Sequence, residues 1–247
     1  MIEEKDSDRK AKKPTNGNDV ESGSLTGSLQ EDMAYLNSAL DVEKNFDIIY
    51  RVIQIGGKEA CMYLVDGFCK DDLVQKLLQY FCDLTPDEMP EDVHSLSKSF
   101  TPYVEVDMEE GWEKIIYSIL SGVFALFIEG YDKCLLIDSR TYPARSVSEP
   151  EKDKALRGSK DGFVETVVFN TALIRRRIRS TDLRMEMFQA GESSKTDIVL
   201  CYMDSRVDHD FLKELKEKIS RIQVDALTMN QESLAECLFS RKWFNPF

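Results

Sequence analysis

The sequence has few of the residues that usually carry out chemistry in enzymes. Only two histidines occur, His94 and His209, and neither stands in a spacing typical of a catalytic triad or a metal site. Carboxylates are abundant, but when 31% of the residues are charged, pairs of acids arise without catalytic meaning. The sequence therefore predicts a protein that is not an enzyme and that carries no cofactor or metal.

Long hydrophobic runs are also absent. The longest one, from Ile115 to Ile128, has fourteen residues and is interrupted by two serines and a glycine. A helix that spans a bilayer needs about 18 or more apolar residues, so we expect no membrane span in this chain. The six cysteines form no CxxC pair, and we expect them to be reduced core residues rather than disulfides.

Basic residues are scarce relative to acidic ones. The chain has 32 Lys and Arg against 45 Asp and Glu, which gives a net charge of -13. Because such a chain repels nucleic-acid phosphates, binding to DNA or RNA is not expected. The 42% of hydrophobic residues is enough for a core, so wholesale disorder is excluded as well.

The pattern along the chain predicts a polar tail and two folded parts. Residues 1–28 are polar and are predicted to be disordered. Residues 29–140 are predicted to form a first α/β subdomain, residues 141–160 a linker that contains Pro143 and Pro150, and residues 161–247 a second α/β subdomain. The predicted fold class is mixed α+β, with a mainly antiparallel sheet packed against helices in each subdomain.

Hydrophobic periodicity places the individual elements. In the first subdomain it predicts helices from Leu29 and over 71–82 and 109–120, hairpins over 47–65 and 123–138, a loop over 83–99 and a strand over 103–106. In the second it predicts helices over 161–179, 210–220 and 231–239, a strand pair over 183–202 and a strand over 222–226. Aligning Asp66 with Asp204 also aligns a hairpin and a helix, which indicates a structural repeat or common core patterning.

An arginine cluster ends the helix predicted over 161–179. It contains Arg175, Arg176, Arg177 and Arg179, while Asp161 and Glu165 lie in the predicted first turn. The cluster can complement the helix dipole, bind acidic residues of the protein body, or dock on another subunit or on anionic lipid. We favour salt bridges within the protein, for which the candidate partners are Glu149, Glu151 and Asp161. These residues are our candidate interface or interdomain contacts.

The segment from Ser146 to Arg179 resembles the A subunits of spore germinant receptors. The matching features are Ser148-Glu149-Pro150, Arg157-Gly158-Ser159-Lys160-Asp161-Gly162-Phe163, Glu165, Asn170 and Leu173-Ile174-Arg175-Arg176-Arg177-Ile178. Weaker similarity extends the resemblance from about Leu29 to Phe247. Ser159 departs from the pattern, because the family usually has proline there.

The resemblance implies the N-terminal cytosolic domain of a receptor subunit, cut from a longer protein that continues into a membrane region. It implies a location at the inner spore membrane, on the spore core side, and B and C subunits as partners. The implied role is signal coupling or subunit assembly in nutrient-triggered germination. The alternative is a module that binds a small nutrient in a cleft between the two subdomains.

Overall fold

The computed structural model describes residues 23–101, 105–142, 162–227 and 231–238. These ranges contain seven α-helices and seven β-strands in a mixed α+β arrangement. The helices are α1 (Leu29–Ala39), α2 (Asp71–Cys82), α3 (Val93–Phe100), α4 (Trp112–Leu120), α5 (Val167–Arg177), α6 (His209–Ser220) and α7 (Gln231–Leu238). The strands are β1 (Ile48–Ile55), β2 (Lys58–Val65), β3 (Val106–Glu109), β4 (Phe124–Ile128), β5 (Cys134–Ile137), β6 (Leu183–Ala190) and β7 (Thr196–Met203).

A five-stranded antiparallel sheet organises the N-terminal part. Its strand order is β1-β2-β4-β5-β3, so β1 and β3 form its edges. Every residue of β4 and β5 is buried. These strands are continuous apolar runs because both faces of the sheet are covered, by α1 and α4 on one side and by α2 and α3 on the other.

The C-terminal part is built on the β6–β7 hairpin, a separate two-stranded sheet. Buried residues of the hairpin and of α6 share a small core, to which α7 adds partly buried leucines. When the sequence is aligned on itself with Asp66 opposite Asp204, β2 and β7 begin and end at aligned positions, and so do α2 and α6. In each unit the aspartate after the second strand donates its N–H to the carbonyl of the aspartate before the first: Asp66 to Asp47 at 2.7 Å and Asp204 to Asp182 at 2.9 Å.

Several sequence predictions of local structure are wrong in the described residues. The strand predicted over 103–106 is observed from Val106 to Glu109 as β3, and the helix predicted from residue 109 begins at Trp112 as α4. The predicted loop over 83–99 contains α3, whose first turn is capped by the Asp92 side chain accepting a hydrogen bond from the N–H of Ser95 at 2.8 Å. Helix α5 begins at Val167 rather than at residue 161, because the Asn170 amide hydrogen-bonds both the N–H and the carbonyl of Val164 and holds that segment outside the helix. The predicted strand over 222–226 is irregular, since its carbonyls accept from the β6–β7 turn.

The described chain begins inside the predicted polar tail. Ser24 bridges to Gly111, and Leu25 donates its N–H to the carbonyl of Glu110 at 2.9 Å. The Leu25 side chain is buried and belongs to the core beside α1 and α4. Main-chain hydrogen bonds and the buried Leu25 side chain therefore attach residues 23–28 to the N-terminal part.

Two buried and two exposed cysteines differ in chemical reactivity. Burial raises the pKa of Cys61 to about 12 and raises the pKa of Cys134 well above its ordinary value, whereas Cys82 and Cys237 are exposed. Because the thiolate is the reactive form, iodoacetamide at mildly alkaline pH should modify Cys82 and Cys237 in the native protein. Peptide mapping by mass spectrometry should find Cys61 and Cys134 modified only after denaturant is added; modification of either before unfolding would contradict this packing.

Candidate functional site

A fully buried arginine lies between the two parts of the structure. Arg175, in the last turn of α5, has no exposed surface, and its Nε donates to Oδ2 of Asp47 at 2.8 Å. Its Nη2 donates to Oδ1 of the same carboxylate at 3.0 Å and to Oδ1 of Asn45 at 3.1 Å. The guanidinium therefore binds the carboxylate through two parallel hydrogen bonds, the geometry in which arginine is most specific.

Asn45 extends this contact to β6. Its Oδ1 accepts the N–H of Met185 at 3.0 Å, and the N–H of Phe46 donates to the carbonyl of Met185 at 3.1 Å. The side-chain amide of Asn45 also donates to the carbonyl of Leu40 at 2.8 Å. One buried network thus joins the end of α5, the chain before β1 and the start of β6, and we call it the Arg175 network.

The surroundings of Arg175 explain why so polar a group can be buried. A buried charge that keeps its partner and its hydrogen bonds is tolerated, but it becomes very costly when the partner is lost. A second ion pair lies nearby, since Nε of Arg184 on β6 approaches Oδ2 of Asp41 at 2.7 Å. The position of β6 is therefore specified by this ion pair and by the hydrogen bonds that the Met185 main chain makes with Asn45 and Phe46.

Apolar packing beside the Arg175 network brings α5 against the turn that follows β2. Phe68 is fully buried with Val65 and Ala172, and its ring meets Tyr142 edge to face at 5.3 Å. Gly67 has φ +77°, and a Cβ at this position would lie 3.3 Å from the Ala172 side chain. The absence of a side chain at Gly67 therefore allows α5 to approach the turn closely.

Tyrosines and arginines form a cluster on the surface next to this packing. Nη1 of Arg179 donates to the Tyr117 hydroxyl at 3.0 Å, and this hydrogen bond lowers the pKa of the phenol. Nη2 of Arg179 and Nη1 of Arg140 both approach the Tyr142 hydroxyl at 3.4 Å. The Arg176 guanidinium lies 4.5 Å from the centre of the Tyr142 ring, in a cation–π arrangement.

A cavity of about 610 Å³ opens between Arg179, helix α4 and strands β3 and β5 of the five-stranded sheet. Its charged groups have both signs, and Nε of Arg179 is buried there without a hydrogen-bond partner among the described residues. The polar lining is Asp107, Glu109, Glu113, Lys114, Tyr117, Ser118, Arg179 and Thr181. Most of the lining comes from β3, α4 and β5, and Arg179 and Thr181, from the segment between α5 and β6, complete it.

The structure separates the residues that the sequence brought together as one site. Arg175 is buried in its network, Arg176 and Arg177 are exposed, and Arg179 is half-buried beside Tyr117. Glu165 is exposed ahead of α5, while Glu149 and Asp161 lie outside the described residues. Sequence reasoning missed Asp47 and Asn45, since a polar pair before an apolar strand gives no sign of a partner more than a hundred residues away.

Hydrogen bonds, ion pairs and cation–π contacts make up the arrangement in the described residues. Within the described ranges no cluster of His, Cys, Asp and Glu is suited to hold a metal ion. Among the helices of those ranges, none combines the length and apolar character that crossing a membrane requires. Fold and site together define a class: a mixed α+β domain in which a buried ion pair ties a five-stranded sheet to a two-stranded sheet.

Comparison with known proteins gives the family. The chain belongs to the Bacillus/Clostridium GerA spore germination protein family, whose model matches residues 34–247. It is 32% identical to the stage V sporulation protein AF of Bacillus subtilis over 214 residues, which cover 86% of this chain and 43% of that protein. It is 27% identical to the spore germination protein KA of the same organism over 84% of this chain and 38% of that protein. The chain thus spans less than half the length of these relatives.

A solved structure shares the fold. The crystal structure of the N-terminal domain of the A subunit of the Bacillus megaterium spore germinant receptor GerK3 matches with a TM-score of 0.59 at 20% identity. The match covers 90% of this chain and 84% of that one. The predicted fold class and the predicted family resemblance are both confirmed.

Proposed function

We propose that this chain is the N-terminal domain of a germinant receptor A subunit that acts by signal coupling or by assembly with B and C subunits. In this proposal the whole protein belongs to the inner spore membrane, the domain lies on the spore core side, and it has no enzymatic activity. Residues 29–140 and 161–247 act as its two subdomains. Membership of the GerA family and the fold shared with the GerK3 domain support this assignment.

The Arg175 network is the observation that carries the coupling role. It connects α5, β6 and the chain before β1 through one guanidinium that has no contact with solvent. A force that moves α5 must therefore move Asp47 and the edge of the five-stranded sheet, or must break a buried ion pair. Because this buried ion pair is either intact or broken, it transmits a displacement of α5 to the sheet instead of deforming gradually.

Charge reversal on the exposed face of the arginine cluster tests this role. Arg176→Glu with Arg177→Glu in the full-length protein should reduce co-purification of the B and C subunits and slow nutrient-triggered germination. Arg175 must stay unchanged, because its burial would make any reversal a folding defect. A matched reversal on α6, Lys213→Glu with Lys218→Glu, should leave both readouts unchanged. Normal assembly of the Arg176 and Arg177 variant, or an equal defect in the α6 control, would contradict an assembly role for this face.

The cavity beside Arg179 supports the alternative, a nutrient-binding module. Its lining combines residues of the predicted first subdomain with Arg179 and Thr181 of the predicted second one, as a cleft between the two would. A ligand at a hundred times its Kd should stabilise the domain by about 2.7 kcal/mol. Amino acids, sugars and potassium salts can each be titrated against the thermal midpoint of the chain. A rise that Arg179→Gln abolishes would support the site, and constant midpoints at millimolar ligand would exclude it.

A further inference from the structure

Five basic side chains form what we call the basic patch: Lys70, Lys76, Arg140, Arg176 and Arg179. Arg140, Arg176 and Arg179 each contact the Tyr142 ring or its hydroxyl. Arg140 also lines a hollow of about 290 Å³ together with Lys70 and Lys76 at the start of α2, where Ser139 and Thr141 add hydroxyl groups. Because Arg140 belongs to both groups, the patch is continuous from α2 to α5.

The patch carries an excess of positive charge on a strongly acidic chain. Arg140 is paired with Asp138, and Asp72 is the acid that lines the hollow. No carboxylate in the described residues lies within ion-pair distance of Lys70, Lys76, Arg176 or Arg179. On a chain with a net charge of -13, a group of cations that have no carboxylate partner among the described residues favours a surface that meets an anionic partner.

Exposed apolar side chains accompany the cations on α5. Phe169 is 44% exposed and stands two helical turns before Arg176, which places both residues on the same face of the helix. Ile178, directly after the helix, is 37% exposed. Arginine beside exposed aromatic and aliphatic groups is the composition of surfaces that lie at the boundary between lipid headgroups and acyl chains.

We propose that the basic patch docks on the anionic surface of a phospholipid bilayer, where lipid phosphates bind its lysines and arginines. The inference rests on the membrane association given under the proposed function, and it adds a second point of attachment. The cations come from α2, from the chain after β5 and from α5, so they cover an area rather than one line. The hollow has room for a phosphate headgroup, and the exposed Phe169 and Ile178 beside the cations favour a lipid surface over an acidic protein tail.

Vesicle sedimentation with the purified chain tests the docking surface. The chain should bind phosphatidylcholine vesicles that contain phosphatidylglycerol, should release them as salt is raised, and should not bind pure phosphatidylcholine. Each basic residue near an anionic membrane contributes about fivefold in binding, so Lys70→Gln, Lys76→Gln and Arg176→Gln together should weaken partitioning about 100-fold. All three side chains are exposed, and the variant should therefore fold normally, as circular dichroism can verify.

A charge-matched control separates the patch from net charge. Lys213→Gln, Lys218→Gln and Arg221→Gln on and after α6 remove the same charge outside the patch and should leave partitioning unchanged. Equal loss in this control, or no binding to phosphatidylglycerol vesicles, would overturn the proposal. Equally tight binding of soluble glycerol phosphate would assign the hollow to a free phosphate compound, and patch-dependent binding of polyglutamate alone would assign it to an acidic protein. Absent vesicle binding together with defective assembly of the Arg176 and Arg177 reversal would overturn docking and leave the proposed function standing.

Discussion

Replacing Arg175 with leucine should lower the free energy of unfolding by about 3–5 kcal/mol. The reason is the Asp47 carboxylate, whose side chain is 1% exposed and which would remain buried without its guanidinium. Asn45 would also lose a donor, although it keeps its bond from the N–H of Met185. Urea denaturation followed by far-UV circular dichroism measures this loss directly.

Arg176→Leu is the matched control for this variant. It removes the same charge one residue further along the same helix, but from an exposed side chain, and should cost about 1 kcal/mol or less. Adding Asp47→Asn to Arg175→Leu should recover part of the stability, because the buried carboxylate is then replaced by a neutral amide. If the two arginine variants lose equal stability, or if the double variant recovers none, the ion pair of Arg175 with Asp47 does not stabilise the fold.

Phe68→Ala should cost about 3–5 kcal/mol, the range for removing a phenyl group from a packed core. Phe68 is fully buried and packs on Val65, on Ala172 of α5 and on the edge of the Tyr142 ring. The substitution therefore removes contacts both with α5 and with the turn after β2. Thermal and urea unfolding of the variant and the wild type provide the measurement.

Tyr80→Ala on α2 is the control for this substitution. Tyr80 is 57% exposed, so its loss should change stability by no more than about 0.5 kcal/mol. If Phe68 holds α5 against the turn after β2, the Phe68→Ala variant should also make Cys69 more reactive. Cys69 follows Phe68 directly and is only partly exposed. A loss below about 1 kcal/mol for Phe68→Ala would contradict the packing described here.

The hairpins and most helices could be predicted because their signals are local. Alternating β-rich residues around Gly56-Gly57 gave β1 and β2, and apolar residues at helical spacing gave α2 and α6. The helix predicted over 210–220 begins one residue after the start of α6 and ends with it at Ser220. Short elements hidden by acids and prolines, such as α3, were missed because Val93 and Leu96 alone are too few to define a period.

The partner of Arg175 could not be predicted from the sequence. Periodicity can show that an arginine at the end of a helix approaches the protein body, but nearby acids such as Glu149 and Asp161 were equally reasonable partners. Asp47 becomes the partner only after β1 is placed at the edge of the sheet and α5 is packed on the turn after β2. Contacts between distant segments depend on that packing, which no local pattern encodes.

The two repeated units use equivalent aspartates in different ways. In the C-terminal unit the Asp182 carboxylate accepts from the N–H and the hydroxyl of Ser205, at 2.8 Å and 2.6 Å, within its own hairpin. In the N-terminal unit the residue equivalent to Ser205 is Gly67, so Asp47 is left to bind Arg175 and α5 occupies the space. Mutational tolerance should therefore be unequal: changes at Asp182 remain local to one turn, whereas changes at Asp47 affect the whole domain.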